Sequence, residues 1–519
     1  MYHYDRLPYE SNPFSETHPR FLAMLGELFR IPVAPAERCR VLELGCAGGG
    51  NLIPMAWHLP ESEFVGIDLE ESQVREGQGL IEQLGLENIR LAQGDIMQLG
   101  EELGQFDYII AHGVFSWVPE PVRQGTFALY KRLLKPNGIG YISYNIRPGW
   151  HVRGMVREML LYHTQGIEDP LACLNAALEF IDMYTQTLRQ QPGPLAQHLL
   201  LELESLKKAH PSYIYHEYLE ANNQPLLVSE FLEQAESHGL KYLCECQLEG
   251  MFASDLGEKA EGFLAGLEDN ARHEQYLDFL NHRTFRQSLL VHDTLEPDYD
   301  IDLARLEGWA CASNLAPPHK LELRRASPQA FTTLDGKDVE VADPLTRAML
   351  AILYQHYPSA LPMAELLAQA RVMQQQAHGK KPVTVAENWH GELFNLYANC
   401  LVQLSPQPMV YPSVLPTYPR LNTLARTWVE HGARNIPTVW HQSLNTDPFS
   451  LRVLQLLDGQ HDRQTLRDKL LAELQGGAIE LPGVSRDSGK LRPLVESNLD
   501  RLLGLFSHSG ILADGAASD

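Results

Sequence analysis

Three acidic residues, Glu43, Asp68 and Asp95, stand at the ends of short apolar segments, where carboxylates could bind a polar ligand. Residues 41–52 read VLELGCAGGGNL, so Glu43 lies two positions before Gly45. A glycine-rich turn between a strand and a helix lets a ligand approach the backbone, and the helix N-terminus offers free N–H groups. Sites for NAD, FAD and S-adenosylmethionine all use such a turn, so the glycines alone do not identify the ligand.

The acid before the glycines separates these ligands. Glu43 could accept a hydrogen bond from an ammonium group, whereas it would repel a pyrophosphate. The spacing follows ExGxGxG rather than GxGxxG, with Ala47 in place of the middle glycine. Alanine is tolerated wherever φ is negative, so we expect a negative φ at Ala47.

The other two acids complete the description of a ligand. Asp68 ends the second apolar segment, where an acid can bind both hydroxyls of a ribose. Asp95, in the sequence GDI, is in reach of an adenine amine, although it could instead cap the following turn. An ammonium, a ribose and an adenine together describe S-adenosylmethionine. The full set of candidate cofactor-binding residues is Glu43, Gly45, Gly49, Asn51, Asp68, Asp95, Ile96, Tyr9 and His18.

The elements that position these residues alternate between strand and helix from residue 40 onward. The pattern predicts an α/β, Rossmann-like sheet with helices on both faces and ligands at the carboxyl ends of its strands. A turn is expected at KPNG, 135–138, and an antiparallel pair from KYLCECQL and RTFRQSLLVH is expected to complete the sheet at its edge. The predicted parallel strands are 41–44, 64–67, 89–92, 108–111 and 140–144.

Outside this sheet the chain is predicted to be mainly helical. Residues 152–210 read as long helices separated by the turn QQPGP. Residues 343–370 and 447–474 share a pattern of DP, an apolar helix, a short turn and a second helix. Helix pairs of this kind are typical of winged-helix modules.

Composition restricts the partners. The 519-residue chain carries 66 acids against 42 Lys and Arg, a formal net charge of −24, which argues against binding nucleic acid or anionic membrane surfaces. The N-terminus has no basic segment followed by an apolar one, so we expect neither a signal peptide nor a membrane span. Seven scattered cysteines indicate reduced thiols in the cytoplasm. Cys244 and Cys246 form a CxC, but we expect both in a strand and no bound metal.

Several segments resemble a known family of enzymes. The core looks like a class I methyltransferase, and the narrower resemblance is to bacterial methyltransferases with a methyltransferase regulatory domain, which include lysine methyltransferases of outer membrane proteins. The resemblance is dense over residues 1–150 and 212–300 and thin beyond. The segments that carry it are PYESNPFSETHP (8–19), LELGCAGGGNLIPMA (42–56), HGVFSWVP (112–119), NIRPGW (145–150) and DFLNHRTFRQSLLVH (278–292).

The resemblance implies a Rossmann-like core with extra helical domains, and dimerisation through an inserted segment in some members. It also implies a C-terminal region that assists substrate binding. The expected divisions are 1–150 for the core with an N-terminal arm, 151–225 for a helical insertion and possible dimer contact, 226–300 for the regulatory segment, 301–425 for a middle domain, and 426–519 for a winged-helix-like domain.

Methyl transfer is an in-line displacement that requires alignment and a deprotonated nucleophile, but no metal. A lysine acceptor has an ordinary pKa of about 10.4, so losing its proton at neutral pH costs roughly 4 kcal/mol. A dry aromatic pocket lowers this pKa, and aromatic faces attract a methylated ammonium. Candidate aromatic residues are Phe115, Trp117, Tyr144 and Trp150 after strands four and five, and Tyr9 and Phe14 in the arm; ordinary core packing is the alternative.

Polar candidates surround the same mouth. His112 and His151 could relay the proton, although a lone histidine is more often structural. His18 could cap the arm or touch the cofactor. Asn145 could accept a hydrogen bond from an amine nucleophile or cap the backbone. The catalytic candidates are therefore Trp117, Asn145, His112 and Tyr144.

Three functions remain open on sequence alone. A protein methyltransferase, the leading hypothesis, predicts a wide cleft with auxiliary docking modules. A small-molecule methyltransferase predicts a closed pocket. A protein that binds S-adenosylmethionine without turnover would keep the same three acids.

Overall fold

The computed structural model describes residues 11–191, 193–252, 256–334, 336–382, 387–412, 415–479 and 491–513. A seven-stranded sheet lies at the centre of the N-terminal half. Its strands are β1 (Arg40–Leu44), β2 (Glu63–Asp68), β3 (Ile89–Gln93), β4 (Phe106–Ala111), β5 (Leu134–Asn145), β6 (Leu240–Glu245) and β7 (Phe285–His292). Its helices in the first part of the chain are α1 (Pro19–Leu28), α2 (Leu52–His58), α3 (Glu71–Leu84) and α4 (Glu120–Leu133).

The strand order is β3-β2-β1-β4-β5-β7-β6, and the first five of these pair in parallel. β7 is antiparallel to both β5 and β6, so the expected edge pair is confirmed. The central strand β4 is buried throughout because helices cover both faces. The prediction of a turn at 135–138 is wrong in detail. These residues belong to β5, where pairing shifts from Phe106 opposite Leu134 to Tyr108 opposite Ile139.

The predicted helical insertion follows β5 and packs around its own apolar centre, which includes Leu160, Ile181 and Leu203. Its helices are α5 (Trp150–His163), α6 (Pro170–Leu188), α7 (Pro194–Leu206) and α8 (Pro211–Tyr218). Helices α9 (Val228–Ser237), α10 (Glu258–Ala265) and α11 (Asn270–Asn281) then lead back to the edge strands. The insertion thus leaves the sheet after β5 and returns the chain to it at β6.

The C-terminal part packs against the core rather than apart from it. One apolar cluster includes residues of α1, β1 and the segment beyond residue 300. The elements of this part are β8 (Ala310–Ala312), β9 (Gln329–Thr332), β10 (Asp338–Val341), α12 (Pro344–His356), β11 (Leu361–Pro362), α13 (Met363–His378), α14 (Trp389–Ala398), β12 (Gln403–Ser405), α15 (Thr423–Glu430), β13 (Asn435–Pro437), β14 (Ser443–Asn445), α16 (Pro448–Leu456), α17 (Arg463–Gly476) and α18 (Leu491–His508). Both predicted helix pairs are present, as α12 with α13 and α16 with α17.

A buried ionic cluster joins β6, β7 and α11 at the sheet edge. Arg286 Nη1 lies 2.7 Å from Glu245 Oε1, and Arg286 Nη2 lies 2.9 Å from Glu274 Oε2 and from Asp278 Oδ1. Burial alone would raise the pKa of Glu245, but the Arg286 charge brings that pKa below its ordinary value. Burial raises the pKa of Asp278 to about 6, in spite of Arg286. The cluster fixes the antiparallel edge through paired charges.

Candidate active site

A cavity of about 1340 Å³, open to solvent, lies at the carboxyl ends of β1, β2 and β4, the edge of the sheet that the sequence predicts. Residues of the core, the N-terminal arm and the insertion line it together. From the core come Glu43, Gly45, Asn51, Asp68, Ile96, His112 and Trp117. From the arm and the insertion come Phe14, His216, Glu217 and Glu220.

The loop between β1 and α2 has the predicted strand, turn and helix geometry. Gly45 and Gly49 adopt positive φ values of 72° and 75°. Ala47 has a φ of 49°, so the expected negative φ at this alanine is wrong. A left-handed conformation costs an alanine about 1–2 kcal/mol. The loop therefore keeps the backbone of the ExGxGxG motif with some strain at its middle position.

The two glycines have different surroundings. Gly45 lines the cavity, and a Cβ at this position would collide with the side chain of Val114. A Cβ at Gly49 would lie 2.8 Å from Leu91 Cδ1 and 3.1 Å from Ile53 Cδ1, and Gly49 is not a lining residue. Gly49 thus permits close packing behind the loop, whereas the backbone of Gly45 faces the cavity.

Glu43 is 3% exposed, and it forms no ion pair with any described residue. Its Oε1 accepts a hydrogen bond of 2.7 Å from Asn51 Nδ2, while its Oε2 has no partner among the described residues. Burial raises the pKa of Glu43 to about 8, against the lowering effect of the Asn51 hydrogen bond. A buried carboxylate of this kind is costly unless a ligand supplies the missing donor.

Asp68, at the end of β2, supports the loop and borders the cavity. Its Oδ2 accepts from the Ala47 N–H at 2.8 Å, and its Oδ1 accepts from the Glu70 N–H at 2.9 Å. Each carboxylate oxygen can accept more than one hydrogen bond, so both retain capacity for a hydroxyl group. Asp68 therefore borders the cavity with acceptor capacity left, and its ribose role stays a prediction.

Asp95 does not line the cavity, although Gly94 and Ile96 on either side of it do. Its Oδ1 accepts from the Met97 N–H at 2.9 Å and caps the 3₁₀ turn Ile96–Gln98. The geometry thus agrees with the alternative of a cap. Glu43 and Asp68 share one cavity, and the third acid of the predicted set lies beside it.

The N-terminal arm closes one side of the cavity. Ser11 Oγ accepts from the Gly50 N–H at 2.7 Å, and the Phe14 N–H donates to Asn51 Oδ1 at 3.0 Å. Phe14 stacks on His112 with ring centroids 3.8 Å apart. His18 lies outside the lining and caps α1 by accepting from the Arg20 N–H at 3.1 Å. Tyr9, the other arm candidate, lies outside the described residues.

His112 and Trp117 both face the cavity. His112 Nδ1 lies 2.8 Å from the hydroxyl of Tyr141, and burial lowers the pKa of His112 to about 4. The imidazole is therefore neutral at pH 7 and a weak base. It can exchange hydrogen bonds, but it is poorly matched to removing a proton from an ammonium group.

Five other predicted residues point elsewhere. Tyr144 stacks on Phe231 at 4.0 Å in the apolar layer on the opposite face of the sheet, so its catalytic prediction is not supported. Asn145 donates to Asn223 Oδ1 at 3.0 Å and does not reach the cavity. Phe115 and Trp150 are buried in packing contacts, and His151 is exposed at the start of α5; none of these three lines the cavity.

Several lining residues escape the sequence argument. Tyr141 is not among them, but its hydroxyl contacts the lining residue His112, and it lies on the opposite face of β5 from Tyr144 because side chains alternate along a strand. The insertion adds His216 and Glu217 from α8, together with Glu220, which lies two residues after the end of that helix. Burial raises the pKa of Glu217 to about 7, against the lowering effects of Arg153 and Arg157. Only the strand alternation could have indicated Tyr141 in advance, and no local pattern indicates the α8 residues.

Within the described ranges, no group of three or more His, Cys, Asp or Glu side chains could hold a metal ion. The Cys244 and Cys246 thiols are both free and buried. None of the helices described above is long and apolar enough to cross a bilayer.

Comparison with known proteins yields three matching family models. Residues 41–138 match a methyltransferase domain. Residues 210–292 match a predicted methyltransferase regulatory domain, and residues 417–511 match the C-terminal winged helix domain of PKMT. The three models cover β1 to β4 with the start of β5, the antiparallel edge, and the last part of the chain from residue 417.

One relative and two solved structures match along most of the chain. The uncharacterized protein RP789 of Rickettsia prowazekii (strain Madrid E) is 31% identical over 502 residues, covering 94% of this chain and 88% of the relative. The structure of PKMT2 from Rickettsia typhi in complex with AdoHcy matches with a TM-score of 0.84 and 25% identity, covering 97% of this chain and all of the other. A second structure of PKMT2 from Rickettsia typhi matches with a TM-score of 0.82 and 24% identity, covering 98% of this chain and all of the other, and it supports the fold.

The sheet order, the glycine-rich loop and the matched methyltransferase domain define the chain as a class I methyltransferase. Within that class, it belongs to the family of RP789, and its own methyltransferase domain is followed by segments that match a methyltransferase regulatory domain and the PKMT winged helix domain. The predicted fold class and the predicted family are both confirmed.

Proposed function

We propose that this methyltransferase transfers the methyl group of S-adenosylmethionine to the side-chain amine of a protein lysine. The observation that carries the proposal is Glu43, a buried carboxyl group that lines the same cavity as Asp68 and has one oxygen without a partner among the described residues. The PKMT2 neighbour with bound AdoHcy, the demethylated form of that cofactor, and the PKMT winged helix match support it.

The side chains of the cavity fit the parts of S-adenosylmethionine. Glu43 Oε2 would accept from the amino group, and ionisation of Glu43 would then be favoured by the adjacent positive charge. Asp68 would accept from the ribose hydroxyls, with the backbone of Gly45 alongside. Ile96 would pack against the adenine, and Asn51 would orient Glu43. The cofactor supplies an activated methyl group on a sulfonium.

The mouth of the cavity suits an amine acceptor. Glu217 has a pKa of about 7, raised by burial, so a large fraction of it is ionised at neutral pH and can take a proton from lysine. Glu220 adds a further acidic side chain on the same wall. Trp117 and Phe14 offer aromatic faces that attract a methylated ammonium. Neutral His112 would position the amine through hydrogen bonds rather than by accepting its proton.

The remaining partner proposals rest on the insertion and on charge. The insertion exposes large apolar side chains, which supports a homodimer formed through segment 151–225. Light scattering should then give twice the chain mass of 58.5 kDa, and the single-chain mass would contradict it. A net charge of −24 supports a protein rather than nucleic acid substrate, and seven free cysteines support a cytoplasmic location. The exposed side chains are Tyr162 (82%), Leu201 (67%), Leu195 (58%), Met183 (51%) and Leu171 (47%).

The test uses S-adenosylmethionine labelled in its methyl group, incubated with the full chain and with fractionated cell extract. Label is expected in protein bands and, after hydrolysis, in methylated lysine. Glu217→Gln should lower kcat with little change in cofactor affinity, and Glu43→Gln is the control for loss of cofactor binding. Label in extractable metabolites would replace the protein acceptor with a small molecule, and no transfer to any fraction would contradict catalysis.

A further inference from the structure

The cofactor loop contacts a histidine that lies 390 residues further along the chain. His441 lies in the turn between β13 and β14, within the segment that matches the winged helix domain. Its Nε2 is 2.8 Å from Asn51 Oδ1, and its side chain is almost fully buried. The backbone of His441 has a positive φ of 56° within this tight turn. The C-terminal part therefore contacts Asn51, and Asn51 in turn is hydrogen-bonded to Glu43.

The hydrogen bonds fix the chemical state of this contact. The Phe14 N–H donates to Asn51 Oδ1, and Asn51 Nδ2 donates to Glu43 Oε1, so the amide orientation of Asn51 is determined. The oxygen that faces His441 can only accept, and His441 Nε2 must therefore carry a proton. Burial lowers the pKa of His441 to about 3, so the imidazole is the neutral Nε2–H form.

Asn51 has a role unusual for its position. An asparagine that precedes a helix ordinarily accepts from a backbone N–H of the first turn. Asn51 makes no such bond to α2. Instead its oxygen accepts from His441 and from the arm, which leaves its amide nitrogen directed at Glu43.

A second contact connects the same β13–β14 hairpin to the arm. Asn435 Nδ2 in β13 donates to Asn12 Oδ1 at 2.7 Å. The neighbouring Ser11 accepts from the N–H of Gly50 in the cofactor loop. The β13–β14 hairpin thus contacts the cofactor loop directly through His441, and contacts through Asn435 the arm that itself binds the loop.

We propose that His441 is a positioning residue of the cofactor site. Through Asn51 it holds Glu43 in the orientation that binds the amino group of S-adenosylmethionine, so the C-terminal part completes the site. This inference rests on the proposed function. Cofactor binding and docking of the β13–β14 turn are then coupled, and each must favour the other to the same extent.

The test measures binding of S-adenosylhomocysteine to the full chain by calorimetry. His441→Met keeps a similar volume but removes the donor, and about a tenfold loss of affinity is expected. His441→Gln restores an N–H donor and should recover affinity to within about threefold. His431→Ala, an exposed histidine of the same region, is the matched control and should change nothing.

An Asn51→Ala background separates positioning from general damage. If His441 acts through Asn51, adding His441→Met in this background should cost less than about twofold. Full multiplication of the two losses would overturn the proposal, as would unchanged affinity in His441→Met. If the wild-type chain does not bind S-adenosylhomocysteine, the proposed function itself fails.

A measurement on the wild-type chain guards against a variant that does not fold. S-adenosylhomocysteine should slow amide hydrogen exchange in residues 438–442 more than in α16 to α18. Equal changes throughout the C-terminal part would contradict a specific link through the β13–β14 turn.

Discussion

Two glutamates of this protein, Glu43 and Glu245, are buried to nearly the same extent and yet differ in charge state. Glu43 is 3% exposed and Glu245 is 4% exposed. The pKa of Glu43 is raised to about 8 by burial, whereas that of Glu245 is lowered because the Arg286 charge outweighs burial. Burial alone therefore does not determine whether a carboxylate is charged.

The difference lies in the partners. Glu245 accepts from Arg286 Nη1, from Ser288 Oγ at 2.6 Å and from the Gln287 N–H at 3.0 Å. Glu43 accepts only from Asn51 among the described residues, and one of its oxygens has no partner. A carboxylate with all its partners inside the chain stabilises the fold. A carboxylate that lacks a cation marks the place where a ligand brings one.

The largest effect is expected from Arg286→Met. This change leaves Glu245, Glu274 and Asp278 buried without their common cation, at a cost of about 3–5 kcal/mol in the free energy of unfolding. Urea denaturation followed by circular dichroism measures it. Arg38→Met is the control, because the Arg38–Glu61 ion pair is exposed and contributes little. Equal losses in the two variants would show that the buried cluster is not a structural ion pair.

Glu43→Gln should give the opposite result. At pH 7 the Glu43 carboxyl is already largely neutral, so the stability of the protein without cofactor should not fall. Cofactor affinity should fall by at least about 30-fold, because the amino group loses its buried counter-charge. Calorimetry and thermal unfolding of the same variant measure both quantities. A large loss of stability with retained affinity would assign Glu43 to the structural class of Glu245.

The pH dependence has a definite sign. The pKa of Glu43 is about 8 without cofactor, and a bound ammonium group lowers it, so binding at pH 7 releases up to about one proton from Glu43. Affinity should therefore fall as the pH decreases below 8. Calorimetry in two buffers with different ionisation enthalpies measures the released proton, and Glu43→Gln should abolish the difference between buffers.

The sequence could predict this cavity in part because its acids lie at strand ends. Glu43 and Asp68 follow neighbouring strands of a parallel sheet, whose carboxyl ends must meet. The catalytic prediction for Tyr144 is not supported, because Tyr144 packs in the apolar layer on the face of β5 opposite to Tyr141. An irregular register at 135–138 also obscures the start of that strand.

The rest of the site depends on packing between distant segments. Glu217 reaches the cavity from the insertion, and His441 of the winged-helix part reaches the lining residue Asn51, with no spacing in the sequence that links either to Glu43. The left-handed Ala47 was equally hidden, because its residue type favours a negative φ. Local pattern thus predicts the floor of the cavity, whereas its walls require the tertiary structure.

Asp68→Ala tests a carboxylate that has backbone partners inside the chain and is also expected to bind the cofactor. It should weaken cofactor affinity by at least about tenfold, because the ribose hydroxyls and the Ala47 N–H lose their acceptor. Asp95→Ala is the matched control, with less than about a threefold loss, because the Asp95 carboxylate caps the turn at Met97. Comparable losses in both variants would restore Asp95 to the cofactor-binding set.

The smallest effect is expected from Ala47→Gly. Removing the Cβ relieves the left-handed strain of the cofactor loop, which should raise the free energy of unfolding by about 1 kcal/mol, partly offset by the greater freedom of glycine in the unfolded chain. Thermal unfolding without cofactor measures the change. Ala472→Gly, in the exposed face of α17, should instead lower stability, because its helical φ gains nothing from glycine. If both variants lose stability, the backbone at Ala47 is not strained. The Glu43 site and the Arg286 cluster then differ only in how their charges are paired.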